Sequence, residues 1–583
     1  MTHITKRTGG RILVDQLRIQ GCDRIFTVPG ESFLAVLDAL HDVPEIQTVI
    51  CRQEGGVTFM ACADGALTQR PGIAFVTRGP GATNASIGVH VAMQDSQPMI
   101  LFIGDVDRGM RDREGFQEVD FTAMFGPLAK LVLRIDDAAR IPEYVARAYS
   151  VALSGRPGPV VVALPEDMLC DVVEAMDRPK VADIWQAPSA SRMAALEQLM
   201  HDAVAPVAII GGAGWTAQAG RDFAAFAEKW GLPVAAAFRR QDAISNGSPV
   251  WAGNLGYGPN PKLTARIKAA DLIIAVGARL GEATTDSYTL ITPDHPGQIL
   301  VHVHPDPDEH NHVYRTDLSI CCGMEQFAAH ALASVEPEQR RRVKVAAPLP
   351  FASGAEAHAE WLDWNTPAPF DTPVDLGMCI KDMLQLVSAN NIICNGAGNF
   401  SGWWHRYWPY NSPQGQLAPT AGAMGYGVPA AVAAALRCPD KDVIAIAGDG
   451  DFLMNGQELA TAMQYGCDML VIIVDNGSYG TIRMHQEREY PARVSGTMLH
   501  NPDFAALARA YGAWAATVET TAAFRPALAE AMTHKGVRVL HLKTDADRIS
   551  AGTTITSLRA RAGVKGENAP AVLRALRLSS GEP

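Results

Sequence analysis

Two apolar runs flanking one helical stretch restrict the fold of this chain more than any other feature. Val443-Ile444-Ala445-Ile446-Ala447 ends in Gly448-Asp449-Gly450, a helical stretch over 455–465 follows, and Met469-Leu470-Val471-Ile472-Ile473-Val474 ends in Asp475-Asn476-Gly477. The spacing predicts a strand, a helix and a second, parallel strand. A right-handed crossover puts both strand ends on one edge of the sheet, which is where open α/β sheets bind ligands. Asp449 and Asn476 are therefore expected to face one point in space.

One carboxylate, one amide oxygen and a backbone carbonyl near Ser478 are too few to satisfy Mg²⁺, which wants a near-octahedral oxygen shell and usually completes it from a ligand's phosphates and water. The spacing thus asks for a diphosphate. Gly448 and Gly450 suit one, because glycine lets the backbone approach phosphate oxygens closely and accepts positive φ without steric cost.

At 583 residues the chain is too long for one core, and about 150 residues per domain predicts roughly three to four domains. Short apolar strands alternate with helices in three units, each read as an α/β domain on a mainly parallel sheet flanked by helices. The first, 1–176, has strands over 24–28, 47–50, 73–76, 99–103 and 160–163. The second, 192–340, has strands over 207–210, 234–237, 272–276 and 299–303. The third, 374–555, carries the metal motif, and 556–583 reads as a tail with a weak helix over 569–576. Polar, proline-bearing stretches over 177–191 and 346–373 read as linkers. The first and third units share an architecture, as an ancient duplication would leave them.

A net charge of -12 without long acidic runs argues against nucleic acid as a partner. The ten cysteines are scattered and form no CxxC, the pattern of reduced intracellular thiols. No apolar run is long enough for a membrane span, and the amino terminus enters a helical pattern without an apolar signal core. The expectation is a cytoplasmic protein.

In the first unit the strand over 47–50 leads into Arg52-Gln53-Glu54-Gly55-Gly56, with a helix beginning at Val57. Glu54 so stands at a strand's carboxyl end and a helix start, a place the macrodipole favours for a carboxylate whatever its function. The strand over 73–76 leads into Arg78-Gly79-Pro80-Gly81-Ala82-Thr83-Asn84, a tight turn opening a helix.

Gly448-Asp449-Gly450, the interval from Asp451 to Val474 and then Asp475-Asn476 resemble the signature of thiamine diphosphate enzymes, which usually close the motif with Asn-Asn. The resemblance runs in order and spacing from Val28-Pro29-Gly30 to Asn476. Phe116-Gln117-Glu118, Lys130 and Gly155-Arg156-Pro157-Gly158-Pro159 extend it toward acetolactate synthases, which condense two 2-oxoacids. It implies pyrimidine-binding, central and diphosphate-binding domains. It also implies that Asp449, Asn476 and the Ser478 carbonyl hold Mg²⁺ on the cofactor's diphosphate, beside Gly450 and Asp451. Glu54 would drive a proton relay at the pyrimidine ring, with Gly30 and Gln117 in the same site. Ala423-Met424-Gly425-Tyr426-Gly427 resembles the segment whose bulky side chain props the cofactor into a bent shape, which assigns that part to Met424. In Asn395-Gly396-Ala397-Gly398-Asn399, where acetolactate synthases have Gly-Gln-His, the diphosphate grip falls to backbone N–H groups at Gly398 and to Asn399.

The implied activity is decarboxylation of a 2-oxoacid with transfer to a second carbonyl; Glu54 and Asp449 lie in different units that must meet, and the family brings such units together across a dimer interface, so the resemblance implies a homodimer or homotetramer. A regulatory small subunit is not indicated. Three other readings stand open: simple 2-oxoacid decarboxylation, a pyruvate oxidase-like reaction, and a catalytically silent regulator, which the intact Glu54, Asp449 and Asn476 disfavour. His485 occupies the position of a Trp in acetolactate synthases and reads either as a proton donor or as a surface residue. Acetolactate synthases also bind FAD in the central unit. Here Gly211-Gly212-Ala213-Gly214 and Gly277-Ala278-Arg279 keep glycine turns, while Leu280-Gly281-Glu282 and His304 depart from the pattern and leave flavin open. His302, His304, His310 and His312 lie close in sequence, but Pro305 and Pro307 intervene and the pattern is not that of a metal site.

Overall fold

The structure is a computed structural model that describes residues 6–182, 184–294, 297–333, 354–411 and 414–563. Among them stand three six-stranded sheets, every strand parallel to its neighbours. The first is built from Arg24–Thr27, Gln47–Ile50, Gly72–Val76, Met99–Asp105, Leu131–Arg134 and Pro159–Pro165. The second uses Pro206–Ile210, Val234–Ala236, Trp251–Asn254, Leu272–Val276, Ile299–His304 and Leu318–Cys321. The third uses Asn391–Asn395, Gln416–Leu417, Asp442–Gly448, Met469–Asp475, Trp514–Val518 and Val537–Lys543. With strands numbered by chain order within each sheet, the first and third both run 2-1-3-4-6-5 and the second runs 3-2-1-4-5-6. Each order reverses direction beside its first strand, and ligands of open α/β sheets bind in the crevice outside the carboxyl ends there. In the third sheet that crevice lies between the ends of Asn391–Asn395 and Asp442–Gly448.

The central strands are apolar throughout, as burial on both faces demands. Of the strands that the sequence pattern misses, Leu131–Arg134, Trp251–Asn254, Leu318–Cys321, Gln416–Leu417 and Trp514–Val518 lie at sheet edges, while Asn391–Asn395 and Val537–Lys543 lie inside the third sheet. Leu131–Arg134 has only three apolar residues in a row and buries one of its four. The helix expected over 455–465 starts six residues earlier and is broken. Helix Asp449–Asn455 passes through a 3-10 turn at Gly456–Glu458 into helix Leu459–Gln464. The stretch 346–373, read as a linker, contains helix Gly354–Trp364, which sets Trp361 edge-on to Trp251 with ring centroids 6.3 Å apart. Its apolar residues have a partner in the second sheet that local sequence cannot reveal. What was read as a tail from 556 opens with helix Ile555–Arg561, held by Arg559 Nε to Glu487 at 2.9 Å. The helix expected over 569–576 lies outside the described residues.

The first and third sheets share one continuous apolar core. Helix Gly427–Arg437 is mostly Ala and Gly on its buried side, and these small side chains let it lie against helix Glu54–Thr68. Phe59 meets Tyr426 edge-on at 5.4 Å, and Arg437 closes the contact. Its guanidinium donates to Asp64 at 2.8 and 3.0 Å and to Asp23 at 2.9 Å twice. Asp64 is only 4% exposed, so removing Arg437 leaves a buried carboxylate with Arg24 alone, 3.7 Å away. Arg437→Ala is therefore expected to cost about 3 kcal/mol of stability, seen as a lower denaturant midpoint; an unchanged midpoint would refute a net contribution from the pair. Among the described residues no helix is long and apolar enough to cross a membrane.

Candidate metal and diphosphate site

A cleft of about 230 Å³ opens at the crevice of the third sheet. Its walls come from successive strand ends: Ala397 to Phe400, Gly448 to Asp451, Asn476 to Ile482 without Gly477, and Thr544, with Met424 across from them. The crossover thus places Asp449 and Asn476 as the spacing requires. Ser478 N donates both to Asp449 Oδ2 at 3.2 Å and to Asn476 Oδ1 at 3.0 Å, so the two oxygens converge on one donor. Gly477, at φ 64°, turns the chain so that Ser478 faces back onto Asp449. Burial raises the Asp449 carboxyl above the ordinary carboxylate range, with the neighbouring Asp475 adding to it. A bound cation would reverse that balance.

Asp475 stands where the resemblance expects Asn, and the adjoining strand accounts for it. Lys543, its register partner, approaches Asp475 Oδ2 to 2.6 Å, and His541 Nε2 lies 2.8 Å from the same oxygen. Burial opposes the charge on Asp475, yet hydrogen bonds from His541, Lys543 and Asn501 outweigh it and hold the carboxyl below its ordinary range. Asn501 is a residue the sequence pattern does not flag. Its Nδ2 donates to Asp449 Oδ2 at 2.7 Å and to Asp475 Oδ1 at 2.8 Å, bridging the two carboxylates. The chain returns there because Leu499 N bonds Gly477 O and Tyr479 N bonds Thr497 O, long-range pairings with no local signature.

Asp451 organises the remaining walls. Its buried Oδ1 accepts Ala397 N at 3.1 Å and Gly425 N at 2.8 Å, joining the grip loop to the Met424 segment. Burial pushes this carboxyl up to about 7, against the two N–H groups that lower it. Oδ2 of Asp451 and Oδ1 of Asn501 are buried without a protein partner. Asn399 is tied to Thr481, its N–H reaching Thr481 Oγ1 at 3.0 Å. The glycines here are steric requirements. A Cβ on Gly396 would fall 2.0 Å from Asp451 Oδ1, and one on Gly450 would fall 2.6 Å from the Tyr479 ring. Convergent oxygens, unpaired buried acceptors and a glycine-only backbone fit a magnesium diphosphate. His485 is exposed on helix Gly480–Glu489 and does not line the cleft, whereas Thr481 and Ile482 of that helix do.

The first sheet has a matching crevice. Glu54 opens helix Glu54–Thr68, which Gln53 caps by accepting Gly55 N at 2.5 Å and Gly56 N at 3.2 Å. The Glu54 carboxylate is half-buried and accepts Asn84 Nδ2 at 2.9 Å. Gly30 packs on Thr77, Gly79 N bonds Gln117 O at 3.0 Å, and Gly81 faces Glu54. Gly30, Glu54 and Gln117 thus gather at one sheet edge. Every residue lining the third-sheet cleft falls between Thr372 and Ile549, and Glu54 is not among them.

At the second sheet the glycine turns meet each other. Gly211 N bonds Val276 O at 3.0 Å, Gly277 N bonds Val303 O at 2.8 Å, and a Cβ on Gly212 would sit 2.1 Å from Gly277 O. Leu280 is buried in an apolar cluster. His302 and His304 are buried on the same strand, where burial pushes them down to about 4 and about 3.

Comparison with known proteins finds the thiamine pyrophosphate enzyme domains along the chain: the N-terminal TPP binding domain at 7–124, the central domain at 193–331 and the C-terminal TPP binding domain at 396–542. The chain is 30% identical over 525 residues to the acetolactate synthase large subunit of Parasynechococcus marenigrum, covering 87% of this chain and 82% of that one. It is 29% identical over 541 residues to the large subunit of Corynebacterium glutamicum, covering 90% and 85%. Against that of Lactococcus lactis it is 29% identical over 523 residues, covering 87% of each.

Proposed function

This chain belongs to the thiamine pyrophosphate enzymes, and from that premise we propose that it is an acetolactate synthase-like carboligase that uses thiamine diphosphate and Mg²⁺ to join two 2-oxoacids with loss of CO₂. The observation that carries the proposal is the convergence of Asp449 and Asn476 on Ser478 within the cleft at the third sheet's switch point. Relatives matched over most of both chains bear the acetolactate synthase name.

When bound, thiamine diphosphate supplies the electron sink for decarboxylation. Asp449, Asn476 and the Ser478 carbonyl would hold Mg²⁺ on its diphosphate, and the backbone N–H at Gly398 would be offered to the phosphate oxygens, while the Gly450 N–H is spent on Asp449 Oδ1 at 2.9 Å. Asp451 sets the two loops that shape the cleft. Met424 lines the cleft and would support the cofactor there. Glu54 holds and moves the proton at the pyrimidine ring. Ile482 and Thr481 line the cleft beside Asn399 and keep water from the reacting carbons.

Because Glu54 does not line its own chain's cleft, the complete centre is proposed to form between two chains, the first domain of one facing the third domain of the other. Ile482 at the cleft and Ile87 beside Gly55 are 55% and 41% exposed in the single chain, and a partner would cover them. All ten cysteines are free, which suits a reducing compartment such as the cytoplasm. The second domain's N–H groups at Gly211 and Gly277 are spent on neighbouring strands, and no step is assigned to a flavin.

Purified protein given thiamine diphosphate, Mg²⁺ and pyruvate is expected to form acetolactate, without peroxide and without the visible absorbance of a flavin. Acetaldehyde in place of acetolactate would make it a simple decarboxylase, and peroxide an oxidase. No product from any 2-oxoacid would remove the enzyme assignment.

A further inference from the structure

Glu458 is fully buried and takes no part in the function proposed above. Its Oε1 accepts the backbone N–H groups of both Arg52 and Gln53, each at 3.0 Å, and its Oε2 accepts the Thr461 hydroxyl at 2.6 Å. The two N–H groups belong to the residues immediately before Glu54. Gln53 in turn caps the helix that Glu54 opens, so the carboxylate of Glu458 holds the cap that holds the helix start. It lies so near Gly56 that a Cβ there would sit 2.6 Å from Oε1.

On its other side Glu458 closes the 3-10 turn that continues helix Asp449–Asn455, whose first residue is the metal-side carboxylate. Asn455 Nδ2 from that helix donates to Gly425 O at 3.1 Å, next to Met424. The strand before Glu54 is fastened to the same region. Tyr465 Oη accepts Ile50 N at 2.8 Å and donates to Thr48 O at 3.0 Å, and Arg52 reaches Gln464 Oε1 at 2.7 Å. These contacts fix the strand, while among the described residues Glu458 is the acceptor for the peptide N–H groups of the two residues that precede Glu54.

We infer that Glu458 is a positioning residue for Glu54, setting the proton-handling carboxylate from the helix that carries the metal ligand. The inference rests on the function proposed above. Without the Glu458 carboxylate two part-buried N–H groups lose their protein acceptor, and the turn before Glu54 loses what pins it. Glu54 moves with it. A displacement of about 1 Å at a catalytic group is enough for a loss of about 100-fold in rate.

The test measures deuterium exchange at the thiazolium C2 of bound thiamine diphosphate, alongside cofactor affinity, kcat and KM. For Glu458→Ala, exchange and kcat are expected to fall about 100-fold while cofactor affinity and KM stay within about threefold of the parent. Glu458→Gln keeps an acceptor oxygen for the two N–H groups and is expected to recover most of the exchange rate. Thr461→Val frees the other carboxylate oxygen and is expected to slow exchange to a smaller extent; it decides the matter if Glu458→Ala does not fold. Exchange at the parent rate in Glu458→Ala, or in Thr461→Val where that variant decides, would overturn the inference. So would a Glu458→Gln protein as impaired as Glu458→Ala, or a loss of cofactor affinity that matches the loss of exchange. A parent protein that binds no thiamine diphosphate would instead overturn the function on which the inference rests.

Discussion

Glu54→Ala and Glu54→Gln are expected to lower turnover by about 100- to 10,000-fold, the range over which a positioned acid or base contributes to rate. The loss should fall on kcat, with Mg²⁺ and diphosphate binding close to that of the parent, because the cleft that holds them contains no atom of Glu54. Folding should survive. Gln53 remains to cap the helix, and Glu54 itself gives up only the bond from Asn84. Steady-state kinetics with pyruvate, beside calorimetric titration with thiamine diphosphate, separates the two effects. Near-normal turnover in either variant would remove Glu54 from the chemistry.

Asp449→Ala is expected to act at the opposite end of the cofactor. Outer partners of metal ligands already cost about 10- to 100-fold in affinity when lost, so a direct ligand should cost about 100-fold or more in Mg²⁺-dependent binding of thiamine diphosphate. The buried carboxyl is raised above its ordinary range, so the metal must displace a proton at acid pH. Binding to the parent protein should accordingly weaken as pH falls, and the dependence should be smaller in whatever binding Asp449→Ala retains, with Asp451 left to titrate. Asn501 keeps its bond to Asp475 in that variant, which preserves the return of its segment to the site. Parent-like affinity in Asp449→Ala would show that the metal is held elsewhere.

What could be read from sequence follows what short range can encode. The unit from Asp442 to Asp475 is legible because each strand is an unbroken apolar run and the crossover has one allowed hand. Glycines flanking Asp449 and Met424 are legible because backbone that must pass so close leaves no other residue. Edge strands such as Leu131–Arg134 bury too little to show a pattern. Helix Gly354–Trp364 sits in a proline- and alanine-rich stretch and is stabilised by Trp251, over a hundred positions away in the chain. Asn501 and Glu458 were missed for the same reason: an Asn in a loop and a Glu in a broken helix gain meaning only from carbonyls, amides and carboxylates that the fold delivers. Asp475 is the reverse case, since its departure from Asn was visible and its explanation, Lys543 and His541 on the next strand, was not.

The shared strand order of the outer sheets has a consequence for how one catalytic centre came to use two unlike surfaces. If both sheets descend from one ancestor, the turn after the third strand is the same inherited loop in each. In the third sheet that loop reads Gly448-Asp449-Gly450; in the first it is the turn at Arg78 and Gly79, with a buried guanidinium where its counterpart offers a carboxylate. On that descent the same turn now carries opposite charges in the two sheets, and Glu54 stands on the end of a different strand, so the ancestor would have been a single such domain meeting a second copy of itself.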